Sequence, residues 1–212
     1  MEKSLSINAH SSIKIVGDKV IYFDPYKIRK KTKDADIIFI THNHYDHFDL
    51  PSINKVKKDN TIIVMPNTCI RELKEIDKEI NMANYIGVSP NEQYFIEGIN
   101  VETVSSYNKD KDYHKKNNSW VGYIITIDNE KIYVAGDTDY ISELDKIKCD
   151  ICLVPIGGTY TMNHEEAAKL VNKIKPKVAI PTHYGCIVGE KTLGNEFKAL
   201  LDKDIECQIL IK

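Results

Sequence analysis

The sequence predicts an α/β domain, on three observations. Short β-branched runs recur along the chain, apolar residues at helical spacing fall between several of them, and polar residues stop the runs abruptly. No stretch rich in Pro, Ser or Gly divides the 212 residues. A single domain over 1–212 is therefore expected, long enough to bury an extended core.

The elements follow in order. Leu5-Ser6-Ile7, Ile13–Val16 and Val20–Phe23 read as three short strands that open the chain as a β meander. Ile37-Ile38-Phe39-Ile40 is apolar at every position and reads as a buried strand. Ile53 and Val56 mark a short helix, and Thr61–Val64 a strand. Cys69, Leu73, Ile76 and Ile80 recur at helical spacing after Pro66-Asn67, predicting an amphipathic helix. Strands are expected near 101–104, 120–126 and 131–135, then a helix near 141–147 and a strand at 151–154. Asn163-His164-Glu165-Glu166 has the pattern of a capping box and starts a helix over 164–174. A strand at 178–180, a helix near 195–202 and a strand at 205–211 complete the chain.

A net charge of −2 with 28% charged residues is ordinary for a soluble enzyme. No apolar run has transmembrane length, so no membrane partner is expected. Lys27, Arg29, Lys30, Lys31 and Lys33 form a basic cluster, read either as a solvated loop or as a guide for a phosphorylated or polyanionic substrate. Five cysteines, and an opening Met1-Glu2-Lys3-Ser4 without an apolar stretch, lead to the expectation of a reducing cytoplasm. Cys149-x-x-Cys152 has no second pair and is read as buried thiols.

The chemistry is concentrated at Thr41-His42-Asn43-His44-Tyr45-Asp46-His47, directly after the strand ending at Ile40. Three imidazoles and a carboxylate at a strand exit are donors suited to zinc, manganese or iron, aimed from a rigid support. Further polar residues lie at or near other predicted strand ends. His114 precedes the alternation beginning at Trp120, Asp137 follows Val134-Ala135-Gly136, and His183 follows Ile180-Pro181-Thr182. Strands that deliver such residues to one sheet edge commonly build a ligand site.

In order and spacing, His42-x-His44-x-Asp46-His47, His114, Gly136-Asp137-Thr138 and His183 resemble the metallo-β-lactamase superfamily. Tyr22-Phe23-Asp24-Pro25 resembles its early strand-ending aspartate. Ala9-His10-Ser11-Ser12, Pro155–Met162 and Pro181–Gly185 narrow the resemblance to a branch of metal-dependent hydrolases that includes ascorbate-6-phosphate lactonase and N-acyl-phosphatidylethanolamine phospholipase D. The likeness runs over about residues 5–190 of the sequence. It departs at Ala9, where relatives carry Gly, and at Phe48-Asp49, where many carry Gly-Gly; neither position is a ligand.

The resemblance implies a four-layer αββα sandwich, which the opening meander and later α/β alternation fit. It implies that His42, His44 and His114 hold one divalent metal and Asp46, His47 and His183 a second, with Asp137 bridging. Zinc is expected, with manganese or iron as alternatives. Asp46 would orient the attacking metal-bound hydroxide or take its proton. Asp24 is read either as a hydrogen-bond partner of a ligand histidine or as a turn residue before Pro25. His10 is read as structural, near the site. His164, in the first turn of its helix, either touches substrate or is an exposed surface residue.

These readings lead to a metal-dependent hydrolase that cleaves an ester-like bond, lactone or phosphodiester, in a small molecule. A nucleic-acid phosphodiesterase and a non-catalytic metal-binding protein are the alternatives. The chain shows neither the strong basic face nor the added domain expected of the first, so no nucleic-acid partner is expected. Its ligand set is complete, against the second. Oligomeric state, substrate and the metal count are open at this level.

Overall fold

A computed structural model describes residues 3–76, 78 and 82–211. The chain forms two compact units, one up to Val88 and one from Ser89 onward.

The first unit contains one six-stranded sheet. Strands β1 (Ser4–Ala9), β2 (Ser12–Val16) and β3 (Val20–Phe23) form the expected antiparallel meander. β4 (Ala35–Phe39), β5 (Lys57–Pro66) and β6 (Tyr85–Val88) then add in parallel. Parallel strands are covered on both faces, which is why Ile37, Ile38 and Phe39 of β4 are all fully buried and read as an unbroken apolar run. The crossovers carry helices α1 (Leu50–Val56) and α2 (Asn67–Ile76). α2 buries Cys69 and Leu73, whereas Ile76 at its end is exposed; the predicted Ile80 lies outside the described residues.

The second unit repeats this plan in a seven-stranded sheet. β7 (Gln93–Ile96), β8 (Ile99–Ser105), β9 (Val121–Ile127) and β10 (Glu130–Val134) are antiparallel neighbours. β11 (Ile151–Pro155), β12 (Val178–Thr182) and β13 (Glu206–Cys207) follow in parallel, linked through α3 (His164–Ile174) and α4 (Leu193–Ala199). Asp128 and Asn129 turn the β9–β10 hairpin with φ of 52° and 62°, the left-handed pair that such a two-residue loop favours.

The capping box at α3 is present in full. Asn163 accepts the Glu166 amide hydrogen and Glu166 accepts that of Asn163. Below it Ala167, Ala168, Leu170, Val171 and Ile174 form one buried stripe, packed with Tyr133, Cys152, Val154 and Phe197.

Four expectations need correction. β6 and β7 are strands that periodicity missed, each only four residues long. Gly87 in β6 lies against α2, where a Cβ would fall 2.0 Å from the Asn67 side-chain Oδ1. The segment near 141–147 is a 3₁₀ helix over Ser142–Lys146 that buries only Leu144. The last helix runs Leu193–Ala199 rather than 195–202, and the final strand is the two-residue Glu206–Cys207 rather than 205–211. Among the described residues no helix is long and apolar enough to cross a membrane.

Candidate metal centre

In the first unit the polar residues collect beyond the ends of β1, β3 and β4. After β4 the chain turns tightly, with the His47 and Phe48 amides donating to the His44 carbonyl at 3.0 and 2.8 Å. His42 and His47 are almost completely buried, Asp46 is buried and His44 half-buried. The His42 ring lies 4.7 Å from His44 and 4.0 Å from His47, centroid to centroid. Asp46 Oδ2 is 3.5 Å from His47 Nε2 and 3.2 Å from His10 Nε2.

Asp24 organises this turn from below. It is buried, with φ +43° at the exit of β3, and its own amide donates to the Phe39 carbonyl at 3.0 Å. One carboxylate oxygen accepts the Thr41 amide at 2.8 Å; the other accepts the Thr41 hydroxyl at 2.7 Å and meets His47 Nδ1 at 2.7 Å. Thr41 Oγ1 also lies 3.0 Å from His42 Nδ1. Burial pushes the Asp24 carboxyl up from its ordinary value, and His47 and Thr41 pull it back. The resulting His47 Nδ1–Asp24 contact is the type that fixes the tautomer of a ligating imidazole.

In the second unit the polar residues come from three connections. Asp137 follows β10 beyond Gly136, whose φ of +66° makes the turn. His183 follows β12 with φ +57°. His114 lies in the β8–β9 connection and is buried, although its neighbours Tyr113 and Lys115 are exposed. Asp137 Oδ2 sits 3.2 Å from His114 Nε2 and 2.9 Å from His183 Nε2. The Ser106 hydroxyl donates to the Asp137 carbonyl at 2.9 Å and holds that turn. Gly157 leaves room for the His183 backbone, since a Cβ at 157 would fall 2.3 Å from the His183 carbonyl oxygen.

Most residues around His114 are exposed, and Asn108 holds it among them. Asn108 is buried, and its Oδ1 accepts the His114 amide at 3.0 Å and lies 3.0 Å from His114 Nδ1. Its Nδ2 donates to Asp139 Oδ1 at 3.1 Å and to the Tyr160 carbonyl at 2.9 Å. Asp139 also accepts the Lys109 amide at 2.9 Å and pairs with Lys111. Asn108 and Asp139 thus aim His114, and Thr41 and Asp24 aim His42 and His47. Of these, sequence reasoning missed Asn108, Asp139 and Thr41. A strand-exit threonine before a ligand is a faint signal, and nothing in local spacing marks Asn108.

His164 is half-buried at the first position of α3, with Nε2 3.7 Å from Glu196 Oε2 on α4. Lys27, Arg29, Lys30, Lys31 and Lys33 are exposed in the β3–β4 connection.

The donor set fits a divalent metal. In the first unit His10, Asp46 and His47 each present a ligand atom within 4.8 Å of the others, as His42 does with His44 and with His47. Buried imidazoles and carboxylates in such clusters are ligands for zinc, manganese or iron.

Comparison with known proteins agrees. The model of the β-lactamase superfamily domain matches residues 5–183. A UPF0173 metal-dependent hydrolase of Thermoplasma volcanium is 34% identical over 197 residues, covering 87% of this chain and 84% of the relative. That of Thermoplasma acidophilum is 32% identical, covering 91% and 88%. A crystal structure from Parabacteroides distasonis superposes with a TM-score of 0.82 at 28% identity, covering 99% of this chain and 94% of that one. Igni18, a metallo hydrolase of Ignicoccus hospitalis, shares the fold with a TM-score of 0.74 at 22% identity, covering 99% and 96%. The chain has the metallo-β-lactamase fold and belongs to the metallo-β-lactamase superfamily, within its UPF0173 family of metal-dependent hydrolases.

Proposed function

We propose that this hydrolase is binuclear and cleaves an ester-like bond, a lactone or a phosphodiester, in a small molecule, with the two units acting as one domain. His42, His44 and His114 would hold one ion, Asp46, His47 and His183 the other, with Asp137 shared between them. Zinc suits this set first, manganese or iron next. The observation that carries the reading is Asp137, one buried oxygen of which faces Nε2 of both His114 and His183 at 3.2 and 2.9 Å. A carboxylate between imidazoles assigned to different ions would be suited to hold both. The odd number of cysteines, five, supports a reducing cytoplasm.

When bound, the metal pair supplies an acidified water and Lewis-acid polarisation of the substrate oxygen. The residues supply the rest. Neutral imidazoles leave the charge of the cations undiminished, and Asp24 and Asn108 keep His47 and His114 in the tautomer that presents Nε2. Asp46 orients the attacking water and takes its proton. Burial of His42, Asp46, His47, His114, Asp137 and His183 keeps bulk water from competing for these contacts.

The test is turnover by the zinc-loaded protein on a panel of lactones and bis-aryl phosphodiesters, beside a His42→Ala/His44→Ala double variant. The native protein is expected to hydrolyse one class and the double variant to lose both metal and turnover. A metal-replete, fully active double variant would overturn the reading.

A further inference from the structure

The hairpin between β1 and β2 departs from the usual construction of such turns at three points. Ile7 pairs with Ile13 and Ala9 with Ser12, so β1 carries one extra residue, a bulge at Asn8. The two-residue loop is His10-Ser11, and His10 adopts φ +55°, a conformation that glycine fills most easily. The tip is also withdrawn from solvent, His10 being 0% and Ser11 6% exposed, whereas turn tips ordinarily face water.

None of this helps the hairpin itself. Glycine at position 10 would turn the chain with less strain, and a buried imidazole loses its hydration. What the arrangement secures is the placement of one side chain. His10 Nε2 lies 3.2 Å from Asp46 Oδ2, and its ring stands edge-on to His47 at 6.3 Å. Bulges beside functional sites characteristically re-aim a side chain in this way. The hairpin is also tied down on both sides of His10. Asn8 Nδ2 donates to the Tyr26 carbonyl at 2.7 Å, and Ser12 Oγ accepts the Tyr26 amide at 3.0 Å. Tyr26 lies two residues beyond Asp24, so the strand exit that sets Asp24 also sets the hairpin.

We propose that His10 is a positioning residue for Asp46. Its Nε2, standing 3.2 Å from Asp46 Oδ2, fixes the rotation of that carboxylate, and with it the oxygen that Asp46 offers to the metal. The inference rests on the hydrolase reading above, which makes Asp46 a ligand. It explains why a fully buried histidine occupies a glycine position.

The test compares the native protein with His10→Gly, which relieves the positive φ, and with His10→Gln and His10→Asn, whose amides retain an N–H donor. Zinc stoichiometry, zinc affinity by chelator competition, the cobalt(II) absorption spectrum and the melting temperature of the metal-free protein are read for each. His10→Gly is expected to keep the native stoichiometry and to weaken zinc affinity about 10-fold or more, as loss of a ligand-orienting contact does. At least one amide variant should recover most of that affinity with a native cobalt spectrum. Native affinity in His10→Gly would show a purely structural turn and overturn the proposal. Loss of a zinc equivalent and an altered cobalt spectrum in all three variants would make His10 a direct ligand and overturn it equally. If the native protein binds no zinc, the hydrolase reading itself fails; zinc binding indifferent to position 10 rejects this inference alone.

Discussion

The first unit carries four candidate ligands in six consecutive residues after β4, whereas the second draws three from three separate connections. Both sheets follow the same plan, an antiparallel meander extended by parallel strands, and in both the polar residues stand beyond strand ends. The difference lies in what must fold to place them. One strand exit and one tight turn set His42, His44, Asp46 and His47, and a single carboxylate, Asp24, reaches His47 directly and His42 through Thr41. In the second unit β8, β10 and β12 must all be in register before His114, Asp137 and His183 approach one another. Contacts of large sequence separation cost more loop-closure entropy, so this half depends more on its core.

The largest expected effect sharpens that dependence. Leu170→Ala opens a cavity beneath β11 and should cost about 2–5 kcal/mol of stability in denaturant unfolding. The folded variant should still bind native equivalents of metal, because Leu170 belongs to the apolar cluster around α3 and not to the polar residues of the site. A stable variant that lost metal would break the separation between core and site.

Asp24→Ala should come next. It leaves the Thr41 amide and hydroxyl and His47 Nδ1 without their buried acceptor. Zinc affinity should fall about 10–100-fold. Asn108→Ala removes the equivalent support from His114 alone and should weaken zinc nearer the lower end of about 10–100-fold. Equal losses in the two variants would contradict the idea that one carboxylate serves the whole first cluster.

The smallest effect belongs to His164→Ala. Its contact with Glu196 is a partly exposed pair at 3.7 Å, of the kind that contributes about 0–1 kcal/mol. Metal content should be unchanged in elemental analysis; loss of metal would place His164 among the ligands.

The same contrast explains what the sequence made legible. The cluster of the first unit is contiguous, so His42 to His47 announced themselves by spacing alone. Asp137 and His183 were found because each follows a clear apolar strand and a breaker. His114 was found because it precedes the strand beginning near Trp120, although its neighbours are mostly exposed. What holds it there is Asn108, itself bonded to Asp139 31 residues away. Among the strands, β4 and β12 were visible as apolar runs. β6 and β7 were not, being four residues long, one of them holding a glycine for contact with α2.

The measurement closest to the central claim is elemental analysis of the purified, zinc-reconstituted protein. About two atoms of metal per chain are expected for a binuclear centre. A value that stays at one or below after reconstitution would contradict the division of His42, His44 and His114 from Asp46, His47 and His183 into two bridged sites.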